Sequence, residues 1–390
     1  MTSISERHRA GQFLEKLSRV TSSGQIIPEI DGLRFVAIMA VVAYHLGYFI
    51  AVGYPALWIT PGENPWNTHM VARGRYGVEL FFVISGFVLS LPFAAHYRGK
   101  APKVGLKRYF IRRLARIAPP YLLVLFVIFA GKVWFLERDP ADLFPHLLSS
   151  LFYVHGLVYA HGSVIVPVAW TLEIEMQFYL SMPVLGFLFA VRRPPLRRLV
   201  LAAFGLACII CQIVFIPHGS VLSFTLANNL QYFLVGFLLA DVYLDEWKEP
   251  CPHEWRWDFM ALGMGLLSLY LAPGQPELGR LLLPFILFLF CFAAFRGVLV
   301  HWLLRVPWVT LIGGMCYSIY LIHYFFLPIA LRYTHEVLFA GTFTGNLVVQ
   351  FLIVVPLLLA MSAVFYVFVE RPCMRQGRPD RAVPRTHPAI

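Results

Sequence analysis

Two histidines lie in strongly apolar stretches, where a titratable side chain is costly. His45 is near the middle of FVAIMAVVAYHLGYF, residues 35–49, and His323 lies in CYSIYLIHYFF, residues 316–326. At 1.5 Å of helical rise per residue, His45 is roughly 16 Å beyond Arg34, which places it near the middle of a bilayer. Ionisable groups at that depth usually face the interior of a helix bundle and serve a function. A neutral imidazole there could take a proton from a hydroxyl group, which is general-base chemistry.

Carboxylates and a serine from other apolar stretches are predicted at a similar depth. They are Glu79 and Ser85 in YGVELFFVISGFVLS, and Glu173 and Glu175 in AWTLEIEMQFYL. A buried carboxylate can orient an imidazole and offset the cost of its charged form. We therefore predict one buried site that joins these groups to the histidines, and it stays open which of Glu173 and Glu175 partners His45.

The same residues also admit structural interpretations. His45 could be a packed side chain bonded to a neighbouring carbonyl, and His323 divides evenly between catalytic support and structural bonding. Ser85 precedes Gly86, and small residues of this kind commonly bring two helices close together.

A basic cluster precedes another long apolar stretch in KRYFIRRLARIAPPYLLVL. Arg112, Arg113 and Arg116 are three or four residues apart, so on a helix their guanidinium groups occupy adjoining turns. Paired guanidinium groups suit bidentate binding of phosphate esters. Arginines at a helix end also simply anchor a span. The cluster predicts a polyanionic cytoplasmic ligand, with anchoring as the alternative.

The composition is that of an integral membrane protein. The 390 residues are 59% hydrophobic and 14% charged, and the mean hydropathy is +0.69, which excludes a mosaic of ordinary soluble domains. Apolar stretches of membrane-crossing length predict an all-α polytopic bundle in which backbone polar groups are satisfied inside helices. We predict about ten spans, at residues 35–52, 76–95, 117–136, 170–191, 199–216, 225–244, 257–272, 280–295, 308–331 and 345–369.

Lysine and arginine are distributed unevenly between the predicted loops. With both termini in the cytoplasm, the cytoplasmic segments hold 26 of the 32 lysines and arginines, in agreement with the positive-inside rule. The outer face keeps Lys132 and five arginines, which are Arg73, Arg75, Arg138, Arg280 and Arg332. This asymmetry predicts two cytoplasmic termini and explains the net charge of +11 without a nucleic-acid partner.

The chain is predicted to hold one domain with short polar ends. A cytoplasmic segment 1–27 precedes the transmembrane domain 28–372, and a disordered cytoplasmic tail 373–390 follows. Residues 137–169, on the outer face, are too interrupted for a span and too apolar for a free loop, which predicts a re-entrant or interfacial cap. Aromatic residues in the cap could stack on a sugar or belong to the aromatic belt of the interface.

Several common classes of function find no support in the sequence. It has no Gly-rich phosphate loop, no GxSxG elbow and no metal-ligand constellation. The six cysteines lie in spans or on the cytoplasmic side, so no disulfide framework is predicted. The lone CxxC at Cys208 and Cys211 favours packing over redox or metal chemistry. We expect no metal cofactor.

Six ordered motifs between Pro28 and Pro372 resemble the acyltransferase 3 family of integral membrane acyltransferases. They are IDGLRFVAIMAVVAYH with Arg34 and His45, GVELFFVISGF with Ser85, RRLARIAPPY with Arg113 and Arg116, WTLEIEMQFYL with Glu175, YSIYLIHY with His323, and VERP at residues 369–372. Members of that family move acyl groups from acyl-coenzyme A onto sugars and other hydroxyl acceptors. The resemblance therefore implies a membrane-embedded O-acyltransferase.

The resemblance also implies roles for individual residues. The first-span histidine, His45, is expected to be essential, and Arg113 and Arg116 are expected at the coenzyme A side. The residues expected to carry or support the chemistry are His45, Ser85, Glu173, Glu175 and His323. Those expected at the donor-binding end are Arg34, Arg112, Arg113 and Arg116. Many members read SVEEQFY where this chain has EIEMQFY, so Glu175 keeps the shared carboxylate and Glu173 is an additional one.

The expected enzyme takes an acyl group, with acetyl as the first expectation, from cytoplasmic acyl-coenzyme A to a hydroxyl of a glycan or glycolipid. We expect it in the bacterial inner membrane, surrounded by lipid. His45 would act as general base, or in a variant as the carrier of a transient acyl group. The alternative is a transporter or flippase of a lipid-linked sugar, in which buried His and Glu form a proton pathway.

Overall fold

A computed structural model of the chain describes residues 27–54, 70–217, 219–246, 252–271, 276–337 and 342–376. Within these ranges the chain is helical and forms no β-strand, so the predicted all-α class is confirmed. The α-helices in chain order are α1 (Pro28–Gly53), α2 (Gly77–Tyr97), α3 (Leu106–Phe135), α4 (Pro140–Leu151), α5 (His155–Tyr159), α6 (Trp170–Leu185), α7 (Pro194–Phe215), α8 (Leu230–Glu246), α9 (Trp255–Tyr270), α10 (Pro276–Arg296), α11 (Leu299–Leu304), α12 (Pro307–Gly314), α13 (Cys316–Thr334), α14 (Phe343–Phe365) and α15 (Arg371–Gln376). The predicted N-terminal segment up to residue 26 and the tail beyond residue 376 lie outside the described residues.

Six helical stretches in the described ranges are long and apolar enough to cross a membrane. They are Pro28–Gly53, Met70–Tyr97, Leu106–Phe135, Pro194–Phe215, Glu277–Arg296 and Phe343–Met374. Helices α12 and α13 are bent by 70° at their junction and make a seventh if they form one broken span. The three other predicted spans fall on α6, α8 and α9, which have 16, 17 and 16 residues and are therefore only about 24–26 Å long. The protein is a polytopic helix bundle, whereas ten spans and cytoplasmic termini stay predictions.

Helix α1 lies in the middle of the bundle, in contact with α2, α12, α13 and α14. A Cβ atom on Gly313 of α12 would lie 1.8 Å from the carbonyl oxygen of Asp31 on α1, so these two helices pack backbone to backbone. Val42, Leu46 and Ile50 of α1 are fully buried against these neighbours. Because interiors are densely packed, these contacts determine how α1 is rotated and which way its polar side chains point.

Two glycines bring α2 and α8 into equally close contact. A Cβ atom on Gly86 would lie 2.2 Å from the carbonyl oxygen of Phe233, and one on Gly236 would lie 2.2 Å from that of Val83. A larger side chain at either position would force the helices apart. The close approach predicted at Gly86 is present, and it sets the position of the neighbouring Ser85.

A buried ion cluster joins the end of α2 to α7 and α8. Asp241 on α8 is fully buried and accepts hydrogen bonds from Arg98, Arg197 and Arg198. Asp245, one turn later, pairs with Arg98 at 2.6 Å. A buried carboxylate needs such partners to offset its desolvation. These arginines, counted above as cytoplasmic, therefore also stabilise the packing of three helices.

Residues 137–169 form the short helices α4 and α5 and contain no helix of membrane-crossing length. The hydroxyl of Tyr121 on α3 donates to the carbonyl oxygen of Ser150 at 3.1 Å, and the side chains of Ser150 and Ser163 are bonded at 2.8 Å. The segment is thus attached to the bundle and closed on itself, as a cap requires.

Three histidines of this cap lie together. His155 is fully buried, its Nδ1–H donates to the carbonyl oxygen of His161 at 3.2 Å, and its Nε2 lies 2.9 Å from Nδ1 of His146. Burial lowers the pKa of His155 to about 4, so the ring is neutral near pH 7. No group of His, Cys, Asp and Glu side chains within the described residues has the geometry of a metal site.

Candidate functional site

The imidazoles of His45 and His323 form a hydrogen-bonded pair between α1 and α13. Nε2 of His323 lies 3.2 Å from Nδ1 of His45, and the two ring centroids are 4.9 Å apart. His323 is fully buried, whereas His45 is half-buried. The structure thus brings together two groups that lie 278 residues apart in the chain.

Backbone carbonyls decide which nitrogen of each neutral ring carries the hydrogen. Nδ1 of His323 lies 2.7 Å from the carbonyl oxygen of Tyr320, and Nδ1 of His45 lies 3.0 Å from that of Val41. A carbonyl oxygen can only accept, so each Nδ1 is the donor. Nε2 of His323 then accepts from the Nδ1–H of His45. Nε2 of His45 keeps a lone pair with no hydrogen-bond partner in the described part of the chain.

This arrangement is suited to general-base chemistry. A free lone pair on Nε2 of His45 can take a proton from a hydroxyl group within hydrogen-bond reach. The imidazolium formed would donate through Nδ1 to His323, and hydrogen bonds to a charged group are stronger in a site with little water. The Tyr324 ring packs edge-on to His45 with centroids 5.3 Å apart, which restricts the rotation of the imidazole.

Two cavities meet beside the histidine pair, and we name them from the predicted orientation. The inner cavity, of about 100 Å³, is lined among others by Arg34, Ser85, Arg113, Arg116, Glu175 and Tyr179. The outer cavity, of about 1010 Å³, is lined among others by His45, Arg73, Arg75, Glu79, Trp170 and Arg280. His45 therefore lines the outer cavity, whereas three of the four predicted donor-binding arginines, Arg34, Arg113 and Arg116, line the inner one.

Four side chains line both cavities and form the partition between them: Val41, Val78, Thr171 and Tyr320. The hydroxyls of Thr171 and Tyr320 are 2.7 Å apart, and the Tyr320 hydroxyl donates to the carbonyl oxygen of Val168. The partition thus consists of side chains that line both cavities, and two of them are fixed by hydrogen bonds to each other and to a backbone carbonyl oxygen.

A carboxylate network lines the inner cavity. Oε1 of Glu175 accepts hydrogen bonds from Ser85 at 2.9 Å and from Tyr179 at 2.6 Å. Arg113 and Arg116 interact electrostatically with this carboxylate. Two of the predicted site residues, Ser85 and Glu175, are thus hydrogen-bonded to each other, and their carboxylate lies beside two guanidinium groups.

The other predicted site residues are divided between different places. Arg34 lines the inner cavity and pairs with Asp31 at 2.5 Å, with both side chains buried. Arg112 lines neither cavity in the described part of the chain. Glu173 is buried and accepts from the backbone N–H of Gly156 at 2.8 Å, which fastens the cap to α6.

The carboxylate partner expected for His45 is not what the structure shows. Within the described residues neither Glu173 nor Glu175 hydrogen-bonds the ring, and its side-chain partner is His323. The physical reason is helix rotation. On α6 Glu173 turns toward the cap and Glu175 toward the inner cavity, so neither carboxylate bonds the His45 ring.

The partition residues Thr171 and Tyr320 were not singled out from the sequence. Tyrosines in apolar spans are common at membrane interfaces, so the residue type alone carries no signal. A usable signal existed in the spacing, because Tyr320 and His323 are three residues apart and share one helix face. Thr171 adjoins Trp170 inside the motif WTLEIEMQFYL.

A family model described as an acyltransferase domain matches residues 27–367. The O-acetyltransferase OatA of Staphylococcus aureus is 26% identical over 384 residues, which cover 91% of this chain and 58% of that protein. The peptidoglycan O-acetyltransferase OatA of Listeria monocytogenes is 29% identical over 208 residues, 50% of this chain and 30% of that protein.

The match therefore spans only 58% of the length of the Staphylococcus aureus relative. No solved structure matches the chain. The family match nevertheless covers every motif quoted above up to residue 367, together with both cavities and the histidine pair. The chain belongs to the acyltransferase 3 family.

Proposed function

We propose that this chain is an O-acetyltransferase that works inside the membrane. It takes the acetyl group of acetyl-coenzyme A on the inner side and transfers it to a hydroxyl of a glycan or glycolipid in the outer cavity. The observation that supports this most directly is the free lone pair of His45, which faces a large cavity, with a guanidinium-lined cavity just behind a thin partition. The names of the relatives support acetyl as the group and oxygen as the acceptor atom.

The donor is proposed to bind at the inner cavity through Arg34, Arg113 and Arg116. Guanidinium groups suit the phosphates of coenzyme A because they bind phosphate oxygens in pairs. A space of about 100 Å³ holds several water molecules, so it can take the acetyl thioester end but not the whole coenzyme. In this proposal the thioester end enters the cavity, while the phosphates stay at its mouth against the guanidinium groups of Arg113 and Arg116.

The reaction begins with proton removal by His45. Its Nε2 takes the proton of the acceptor hydroxyl as that oxygen attacks the thioester carbonyl carbon and a C–O bond forms. The tetrahedral intermediate then collapses, the C–S bond breaks, and the imidazolium returns the proton to the leaving sulfur. The products are the acetyl ester and free coenzyme A.

The thioester and the hydroxyl must meet at the partition. Tyr320 and Thr171 have to exchange their mutual hydrogen bond for contacts with the substrates as the thioester enters. In this proposal their O–H groups then donate to the thioester oxygen on which negative charge develops, and donors aimed at that oxygen accelerate acyl transfer. The proposal therefore gives both residues a part in the chemistry.

The proposal also includes location and topology. The transmembrane domain 28–372 would lie in the bacterial inner membrane with both termini in the cytoplasm, where acetyl-coenzyme A is available. The lysine and arginine asymmetry supports this orientation.

The central experiment replaces His45 by alanine. Purified protein in lipid nanodiscs receives labelled acetyl-coenzyme A and a glycan acceptor, and acetyl transfer and free thiol are both measured. Loss of a general base should lower transfer by about 10²- to 10⁴-fold. His96→Ala is the matched control, because His96 lies at the end of α2 and lines neither cavity in the described residues.

Other outcomes separate the alternatives. Near-normal transfer by the His45 variant would show that the base is elsewhere. Label that stays on the protein after acceptor is withheld would favour the acyl-histidine variant. Translocation of a lipid-linked sugar in liposomes without coenzyme A, and without release of thiol, would favour the transporter.

A further inference from the structure

The outer cavity collects arginines on the face of the membrane where they are rare. Of the five arginines on the predicted outer face, Arg73, Arg75 and Arg280 line this one cavity. The positive-inside rule depletes arginine from outer loops, so anchoring does not explain why those present converge. Their convergence points to a ligand.

Arg73 has donors that no protein group uses. Its Nη1 donates to the Tyr76 hydroxyl at 3.2 Å, but its Nε and Nη2 are buried and have no hydrogen-bond partner within the described residues. A buried, unpaired guanidinium donor is costly. An acceptor group in the cavity would remove that cost.

Arg75 lies on the same aromatic ring as Arg73. The guanidinium carbon of Arg73 is 5.6 Å from the centroid of the Tyr76 ring, and that of Arg75 is 5.5 Å from it. Stacking on an aromatic face keeps a guanidinium group planar and oriented. Two like charges held around one ring repel each other, and an anion bound between them would relieve that repulsion.

The charges that line the outer cavity do not cancel. Glu79 is the one carboxylate among the described lining residues, against three arginines. Arg280 is partly compensated, because it pairs with Glu277 at 3.5 Å and donates to the carbonyl oxygen of Gln212 at 3.3 Å. Glu79 interacts electrostatically with Arg75, so beside Tyr76 two guanidinium groups, those of Arg73 and Arg75, face a single carboxylate.

The remainder of the lining suits a sugar. The aromatic rings of Trp170 and Tyr44 line the cavity, and so does the amide of Asn229, whose Nδ2 donates to the carbonyl oxygen of Thr225 at 3.2 Å and whose oxygen can accept. A cavity of about 1010 Å³ is large enough for an oligosaccharide segment.

We infer that the acceptor is an anionic glycan, and that Arg73 and Arg75 bind a carboxylate or phosphate carried by the sugar chain that presents its hydroxyl to His45. This inference rests on the proposed function for the assignment of the outer cavity to the acceptor. It adds a rule of selection: a glycan without the anionic group is a poor acceptor even when the same hydroxyl is present.

The test measures binding without the donor. A uronic-acid trisaccharide, its neutral methyl ester, and a phosphate-bearing trisaccharide are titrated calorimetrically into the intact protein in nanodiscs of zwitterionic lipid. The two charged sugars should bind roughly 10- to 100-fold more tightly than the ester. In the double variant Arg73→Gln with Arg75→Gln this preference should fall to less than about threefold, with binding of the ester unchanged.

Arg138→Gln is the matched control, because Arg138 is an exposed outer arginine that lines neither cavity in the described residues. The Arg138→Gln variant should still bind the charged sugars more tightly than the neutral ester, by the same factor as the parent protein. Equal binding of charged and neutral sugars, or an equal loss in the control, would overturn the inference. So would a charge effect that appears only when phosphatidylglycerol is added to the nanodiscs, because the arginines would then bind lipid.

Failure of this inference and failure of the proposed function are distinguishable. A charge preference in binding without any acetyl transfer would leave the anionic site standing and remove the transferase. Acetyl transfer with no charge preference in binding would support the transferase and overturn the anionic site.

Discussion

Replacement of His323 by phenylalanine tests how the histidine pair works. Phenylalanine keeps a planar ring in the fully buried position but removes the Nε2 atom that lies 3.2 Å from Nδ1 of His45. In the proposed mechanism the lost contact is a hydrogen bond to a ring that becomes charged only when it has taken the proton. Hydrogen bonds to charged groups contribute about 1.5–3 kcal/mol, so kcat should fall by roughly 10- to 100-fold.

The two kinetic constants should respond differently. An interaction made only as charge develops lowers kcat and leaves substrate binding unchanged. The KM for acetyl-coenzyme A should therefore stay within about twofold of the parent value, since His323 does not line the inner cavity within the described residues. His323→Gln, which can restore an acceptor atom toward His45, should recover part of the lost rate.

The assay is steady-state acetyl transfer in nanodiscs, with thermal unfolding of each variant as the check on folding. A kcat of the phenylalanine variant within twofold of the parent would refute the reasoning and return His323 to a packing role. An equal loss in the phenylalanine and glutamine variants, accompanied by a lower unfolding temperature, would show that the residue is needed for structure alone.

Three further predictions follow from the helix contacts and the cap. The double variant Arg113→Ala with Arg116→Ala should raise the KM for acetyl-coenzyme A at least about tenfold with little change in kcat. The reason is that phosphate binding is the same in the ground state and the transition state. An unchanged KM would show that both residues only anchor the helix. Gly86→Ala should lower the free energy of unfolding by about 1–3 kcal/mol through overpacking, because the new Cβ would lie 2.2 Å from a backbone oxygen. Gly205→Ala is the control and should have no such cost, because a Cβ there would have no atom within 4 Å. The pKa of His155 is lowered by burial to about 4, so the folded state binds fewer protons than the unfolded one, and the stability of the cap should fall as the pH is lowered from about 6.5 toward about 4. The unfolding temperature measured across that pH range should decline less steeply in His155→Gln than in the parent protein. Parallel declines in the two proteins would show that His155 does not cause the pH dependence.

The relative level of the two histidines along their helices could be predicted, because it depends on local order along the chain. Counting helical rise from Arg34 to His45, and along the stretch that carries His323, was enough to predict that both imidazoles reach the same level, and they do meet. The same reading of local sequence predicted that residues 137–169 contain no membrane-crossing helix, and the longest helix within that segment has 12 residues.

Helix rotation could not be predicted, since it depends on side chains from distant parts of the sequence. Glu173 and Glu175 are two residues apart and therefore point to different sides of α6, but only the packing of α6 decides which side faces what. In the folded bundle one carboxylate bonds the cap and the other bonds Ser85, while His323 takes the place beside His45.

The sequence by itself determined the helical membrane architecture, the family and the set of polar groups placed within apolar helices, because hydrophobicity and residue spacing act locally. Only the tertiary structure decided that these groups are divided between two cavities, with Thr171 and Tyr320 between them and the outer arginines Arg73 and Arg75 gathered on one side. The reason is physical: close backbone contacts at Gly86 and other small residues set the distance and rotation of whole helices, and those two quantities decide which side chains meet.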